Sequence, residues 1–537
     1  MSQPPAASAA DGFTVEVAGP ELQTAVETAV AALVGDDVPA RLVARDATLW
    51  GPAAENEAAT RLGWLDVVDN GRALLPELAT LRDALRAEGV DTVVLCGMGG
   101  SSLAPEVICR TAGVPLTVLD STHPDQVRSA MAGDLARTVV VVSSKSGGTL
   151  ETDSQRRALV AAMAAQGLDA ASRVVVVTDP GSGLEQTALD EGYRATFLAD
   201  PDVGGRYSAL TAFGLVPSFL AGADVAALLD EAAAVLPGLG ADGPALQLGA
   251  ALGAAGRDKV AIDAGAGGLV GFGDWAEQLI AESTGKQGTG LLPVVVEPDA
   301  PEVLRPDADV HVVRVGGALP PVGTRTAGEL GAQFLGWEYA VAVAGRLLGI
   351  DPFDQPDVES AKQAARGLLD ATPEAGPAAF VDGDVEVRAT PGLLAGVTTL
   401  AGAVEALLAS VGPAGYLSVM AYLDRLRDAD LARVRAPLAR RTGRPVTFGW
   451  GPRFLHSTGQ FHKGGPAVGS FLQVTGLVSE DLAIPDRPFS FGTLITAQAL
   501  GDMQVLADHG RPVLTLHLTG PAGLAQAQAA LTAGGAT

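Results

Sequence analysis

Short runs of valine, leucine and isoleucine recur from about residue 91, each closed by small polar residues and followed by a stretch with helical spacing. DTVVLC (91–96), VPLTVLD (114–120), RTVVVVSS (137–144) and SRVVVVTD (172–179) are largely continuous apolar runs rather than alternating ones. Strands buried on both faces have this pattern, so it predicts a parallel sheet with helices on either side. A second, weaker unit follows. DKVAIDAG (258–265), LLPVVVEP (291–298) and DVHVVRVGG (309–317) read as strands, and DWAEQLIAESTGK (274–286) and TAGELGAQFLGWEYAVAVAGRLLG (326–349) as helices. After about residue 365 a Pro/Gly/Ala-rich region leads to a third section, with TLAGAVEALLASVG, YLSVMAYLD, the loop HSTGQFHKGGP and a helix near 491–508. The expected division is an N-terminal lead and helical segment (1–60), a first lobe (61–235), a second lobe (236–365) and a C-terminal section (366–537). No short internal repeat is visible. MSQPPAASAADGF lacks the basic start and apolar core of a secretory signal and reads as a short disordered lead.

Ligands of parallel α/β sheets bind beyond the C-terminal ends of the strands. Two loops sit there: GMGGSS (97–102) and SSKSGGTLET (143–152). Glycines let the backbone approach an anion, the following helix points its positive end at the same spot, and Ser/Thr hydroxyls donate to phosphate oxygens without adding charge. Neither loop is a P-loop, and Ser102 stands where a dinucleotide fingerprint needs glycine. A phosphomonoester suits such a pocket; each loop alone also reads as an N-cap and turn.

The net charge of −26 argues against nucleic-acid binding through a basic footprint, and it requires any anion site to be local. The 47% hydrophobic and 18% charged composition is globular, and no uninterrupted apolar run is long enough for a membrane helix. Two cysteines, Cys96 and Cys109, fit a reducing cytoplasm, with Cys96 as a small core residue. The six histidines show no metal-ligand spacing.

On DWAEQLIAESTGK, Gln278 and Glu282 are four apart and share a helical face, whereas Glu277 points elsewhere and reads as solvated. Glu282 is a candidate general base, or a solvated helix-end carboxylate. Arg206 in GGRYSAL can stabilise charge developing on a substrate oxygen, or lie on the surface. FDQPDVESAK (353–362) reads as a helix start that places Gln355 and Lys362 on one face.

Together these stretches resemble the glucose-6-phosphate isomerase family, built from two sugar-isomerase (SIS) lobes. GMGGSS, SSKSGGTLET, GGR, QLIAESTGK and FDQPDVESAK occur in the family's order between about residues 60 and 510. The resemblance implies an α/β fold of two doubly wound parallel-sheet SIS lobes, with a C-terminal α/β extension completing the second. It also implies interconversion of glucose 6-phosphate and fructose 6-phosphate through a cis-enediolate. Carried over by position, Gly100, Ser101, Ser144, Ser146, Thr149 and Thr152 match the phosphate-binding and loop positions, with Lys145 in the same loop. Gly205 and Arg206 match the pair beside the reacting carbons, Gln278 and Glu282 the substrate-contacting glutamine and the base, and Gln355 and Lys362 the helix whose lysine contacts the ring oxygen.

The ring-opening histidine departs from the family pattern. Most members carry it between the base and the lysine helix, where this chain has only His311, in a strand-like run. The similar stretch here is STGQFH, after the lysine helix, as in the branch fused to transaldolase. The role is assigned to His462, with His456 as rival. About 90 residues precede the first lobe's strands, too few for a transaldolase barrel. The resemblance further implies no metal or nicotinamide and a homodimer with a shared active site. A dual phosphoglucose/phosphomannose isomerase and a non-catalytic SIS phosphosugar-binding module are the alternatives.

Overall fold

The computed structural model describes residues 8–10, 12–240, 242–356, 367–369 and 375–533. Three sheets organise it. The first has five parallel strands, β3 (Thr92–Gly97), β4 (Thr117–Leu119), β5 (Thr138–Ser143), β6 (Val174–Thr178) and β7 (Ala195–Leu198), in the order β4-β3-β5-β6-β7. The continuous valine runs are explained by burial on both faces. Val140, Val142, Val174 and Val176 pack with Leu159 and Met163 on one side, and Val139, Val141, Val175 and Val177 with Leu78, Phe213 and Val216 on the other. A fully buried side chain of this size contributes about 1.5–3 kcal/mol, so substituting polar residues on either face would unmake the lobe.

The second sheet contains the parallel strands β8 (Lys259–Asp263), β9 (Leu292–Val295), β10 (Val310–Val315) and β11 (Gly323–Gly328). Its edge comes from the far end of the chain. β1 (Ser8–Ala10) and β2 (Phe13–Ala18) form an antiparallel pair, and β2 runs antiparallel to β11, giving β1-β2-β11-β10-β8-β9. The expected disordered lead is therefore strand from Ser8 to Ala10 and again from Phe13, because Phe13 and Val15 bury completely against the second lobe. The first sheet's residues are thus inserted between two strands of the second.

The parallel-sheet α/β character expected from the sequence holds, and the C-terminal section adds to it in an unexpected way. Among the described residues it contributes no strand to the second sheet. Its strands β12 (Phe380–Asp382), β13 (Val385–Ala389), β14 (Tyr416–Tyr422), β15 (Val446–Trp450), β16 (Gly469–Gly476) and β17 (Val513–Leu518) form a third sheet, β12-β13-β17-β16-β14-β15. This sheet packs on the second lobe through a common core in which Leu292, Val294, Val310 and Val312 meet Tyr416, Met420, Phe471 and Val513. Among the described residues no helix is long and apolar enough to cross a membrane.

Candidate active site

The site lies where all three sheets meet. β3 delivers the chain into Met98–Ser102. A Cβ on Gly100 would come within 2.0 Å of the Gly205 carbonyl oxygen, so only glycine lets these two loops touch. Gly99 has φ +55°, and a Cβ there would meet Gln278 Nε2 at 2.8 Å and the His456 carbonyl oxygen at 2.9 Å. Ser101 is buried beside them. From β5, Ser144 Oγ donates to Thr149 Oγ1 at 3.1 Å, and the exposed Ser146 accepts from the Gly148 amide at 3.2 Å. Thr149 precedes the helix Leu150–Ala165. Thr152 is buried, and its Oγ1 has no hydrogen-bond partner among the described residues. Hydroxyls at a helix N-terminus form an uncharged anion cradle. Lys145 departs from the expectation. Its ammonium is 2.5 Å from Asp179 Oδ2 and 3.1 Å from the Pro201 carbonyl oxygen, so its charge is already neutralised on the side of Asp179.

The helix Phe272–Thr284 is buried along its length except at Asp274. Gln278 Nε2 donates to the His456 carbonyl oxygen at 2.8 Å and lies 3.5 Å from Glu282 Oε1. Glu282 is 5% exposed, and its Oε2 lies 3.6 Å from Arg206 Nη1. The rest of the Arg206 guanidinium is held by Ser283 Oγ and by the carbonyl oxygens of Pro352 and Asp354. Arg206 is therefore a buried, oriented cation with one nitrogen facing the candidate base. Gln355 follows this loop and is exposed. Lys362 lies outside the described residues.

The two histidines of HSTGQFH differ sharply. His462 is 2% exposed and stacks on Tyr416; its Nδ1 pairs with Tyr416 Oη at 2.9 Å and its Nε2 with Ser418 Oγ at 3.2 Å. Burial lowers its pKa to about 3. It is a neutral core residue with both ring nitrogens engaged, which corrects its expected placement at the reacting centre. His456 instead lies beside the helix of Gln278 and Glu282: its Nε2 is 3.0 Å from Glu151 Oε1, and its carbonyl oxygen holds Gln278. His311 is likewise a core residue, buried with Nε2 2.9 Å from Thr324 Oγ1.

Three further groups escaped the sequence reading. Glu151 opens the helix after the hydroxyl loop and also accepts from Gln498 Nε2 at 2.8 Å. Its position in TLET was visible, but its partners His456 and Gln498 lie more than 300 residues away. Lys286 is fully buried and donates to the Asp351 and Asp354 carbonyl oxygens at 2.7 and 2.6 Å, so together with Arg206 it fixes the approach to Gln355. Burial, aided by the Arg206 charge, lowers its pKa to about 8. Glu277 is not the solvated residue expected. It is buried, accepts from Ser457 Oγ at 3.2 Å, and burial raises its pKa to about 8.

No protein-family model matches the chain. The glucose-6-phosphate isomerase of Rubrobacter xylanophilus is 30% identical over 361 residues, spanning 52% of this chain and 83% of that protein. A probable glucose-6-phosphate isomerase of Haloarcula marismortui is 31% identical over 353 residues, spanning 54% and 81%. Among solved structures, a hypothetical protein of Thermus thermophilus shares the fold with a TM-score of 0.56 at 23% identity, over 66% of this chain and 100% of that one. A Chlamydia trachomatis glucose-6-phosphate isomerase does so with a TM-score of 0.54 at 19% identity, over 68% and 89%. By its similarity to these relatives, over more than four-fifths of their length, the chain belongs to the glucose-6-phosphate isomerase family.

Proposed function

We propose that the protein interconverts glucose 6-phosphate and fructose 6-phosphate. The observation that carries the reading is the convergence of Glu282, Arg206, Gln278 and the His456–Glu151 pair at one junction, beside an uncharged anion cradle. The phosphate is anchored by the hydroxyls of Ser144, Ser146, Thr149 and Thr152 and by the backbone around Gly100 and Ser101. His456, with Glu151 orienting its ring, takes over the ring-opening role first given to His462. Lys362 is its expected companion at the ring oxygen.

Glu282 removes the C2 proton of glucose 6-phosphate and returns it to C1. One carboxylate alternates as base and acid, as the exchange of a proton between adjacent carbons requires. Arg206 is held by backbone carbonyls before substrate arrives, so it stabilises the enediolate oxygens without reorganising. Gln278 and Gln355 contact substrate hydroxyls. The resemblance implies a homodimer sharing its sites between subunits. The packing of His456 against Gln278, beside Glu282, within one chain favours a site completed within that chain, and turnover per chain that is constant on dilution through dimer dissociation is the expected result. Two buried free thiols suit a reducing, cytoplasmic compartment.

The test is a coupled assay of the purified chain with fructose 6-phosphate, the glucose 6-phosphate formed being read by its dehydrogenase, with mannose 6-phosphate as a parallel substrate. Turnover of fructose 6-phosphate is expected. Binding of the phosphosugar without turnover would replace the isomerase by a phosphosugar sensor, and comparable turnover of mannose 6-phosphate would make it a dual-specificity enzyme.

A further inference from the structure

His456 ends a short 3₁₀ turn, Arg453–His456, whose first residue reaches into a cluster of charges drawn from all three lobes. Arg453 Nη1 lies 2.5 Å from Glu106 Oε2 and 2.7 Å from Asp120 Oδ2, and its Nη2 lies 3.4 Å from Asp274 Oδ2. Glu106 belongs to the helix Leu103–Ala112 and Asp120 follows β4, both in the first lobe; Asp274 opens the helix that carries Glu282. A second arginine of the C-terminal section, Arg425, is 3.0 Å from Glu106 Oε1 and 3.2 Å from Asp120 Oδ1. Asp120 is 0% exposed and the side chains of Arg453 and Glu106 are 11% and 12% exposed, so water screens their contacts poorly, whereas Asp274 is 47% exposed and its longer contact is the weakest of the three. Burial opposes ionisation of Glu106, but the two arginines outweigh it and hold the carboxyl below the usual carboxylate range.

We propose that Arg453 is a positioning residue for His456, pinning its turn at once to the phosphate-loop lobe and to the helix of the base. The inference rests on the isomerase reading with His456 as the ring-opening group. Three residues of 3₁₀ helix rise about 6 Å, so a pin at Arg453 sets the histidine's position within one turn. The planar guanidinium reaches the three carboxylates from two nitrogens at a fixed spacing, whereas an ammonium offers its three donors from a single nitrogen and without that fork. Removing Arg453 leaves Glu106 with Arg425 and, at 3.9 Å, Arg110, leaves Asp120 with Arg425, takes from Asp274 its ion pair with Arg453, and frees the turn on the side that His456 does not hold.

The test separates ring opening from proton transfer. Fructose 6-phosphate reaches the enzyme mainly as a ring. 5-Deoxyfructose 6-phosphate lacks the hydroxyl that closes that ring and enters open-chain. For Arg453→Met, turnover of fructose 6-phosphate is expected to fall about tenfold to a hundredfold, the range for a misplaced catalytic group. KM should stay near the wild-type value, since the hydroxyl cradle is untouched, and turnover of the open-chain analogue should be close to wild type. Arg453→Lys should fall between Met and wild type on fructose 6-phosphate and keep the same split between substrates; it also decides the matter if the methionine variant melts below the assay temperature. Equal losses on both substrates, or no loss on the ring form, would overturn the role of Arg453. Absence of turnover in the wild-type protein would instead defeat the isomerase reading itself.

Discussion

The second and third sheets are built to one plan. Numbered along the chain within each sheet, the strands of both lie in the order 1-2-6-5-3-4, with strands 1 and 2 antiparallel at one edge and the other four parallel. Their chemistry is nevertheless placed differently. In the second sheet the connection from strand 3 to strand 4, β8 to β9, is the buried helix Phe272–Thr284 with Gln278 and Glu282. In the third, the same connection holds the short helix Arg435–Thr442, whose Arg435 docks on Glu297 and Glu302 of the second lobe. There it is the next connection, β15 to β16, that brings Arg453, His456 and the helix Gly459–Gly464 against the base helix. A Cβ on Gly285, just past that helix, would meet Phe461 Cα at 2.5 Å. Topology sets which connections cross a sheet, but the packing of one lobe on another decides which of them reaches a substrate.

The comparison is broken most severely at Glu282. Glu282→Gln is expected to lower turnover of fructose 6-phosphate by about 10²–10⁴-fold with phosphosugar binding retained. Steady-state kinetics beside a binding titration checks this, and near-normal turnover would take the base out of the second lobe.

The third lobe's two histidines should respond in opposite ways. His456→Ala is expected to lower turnover by at least about tenfold with little change in stability. His462→Ala removes a buried, stacked and doubly hydrogen-bonded ring, so it should cost about 2–4 kcal/mol in urea unfolding while the folded fraction keeps its turnover. The reverse assignment of effects would restore His462 to the site.

A subtler effect lies at the contact between the lobes. Burial raises Glu277 from an ordinary 4.5 to about 8. Below the ordinary value both folded and unfolded chains hold the proton. Above it the unfolded chain ionises while the folded chain does not, so stability is lost as pH rises from about 4.5 to about 8. Glu277→Gln cannot ionise and should raise the melting temperature near pH 8 with little change near pH 5; equal shifts at both would contradict a raised Glu277.

The smallest change is expected at Lys145. Because its ammonium is bound to Asp179, Lys145→Ala should alter KM for fructose 6-phosphate by less than about threefold, in keeping with the modest worth of a partly exposed ion pair. A large rise in KM would return Lys145 to the anion site.

What the sequence determined by itself was what local physics writes locally. Unbroken valine runs announced the first sheet, since parallel strands are buried on both faces. Glycines and hydroxyls at strand ends announced the anion loops, and the Gln278–Glu282 spacing put two polar groups on one helix face. FTVEVA carried a readable alternation that marks β2, hidden by its Ala/Pro-rich neighbourhood. The tertiary structure alone decided the rest. His456 and His462 are six residues apart in one glycine-containing stretch, and no local rule separates them. Only the fold turns one toward Glu151 and buries the other beneath Tyr416. Arg453 meets Glu106 and Asp120 across more than 330 residues, and Lys286 meets Asp351 across 65. Such pairs are selected by burial and charge in a space that exists only once three sheets have packed together, so the sequence records their residues but not their meeting.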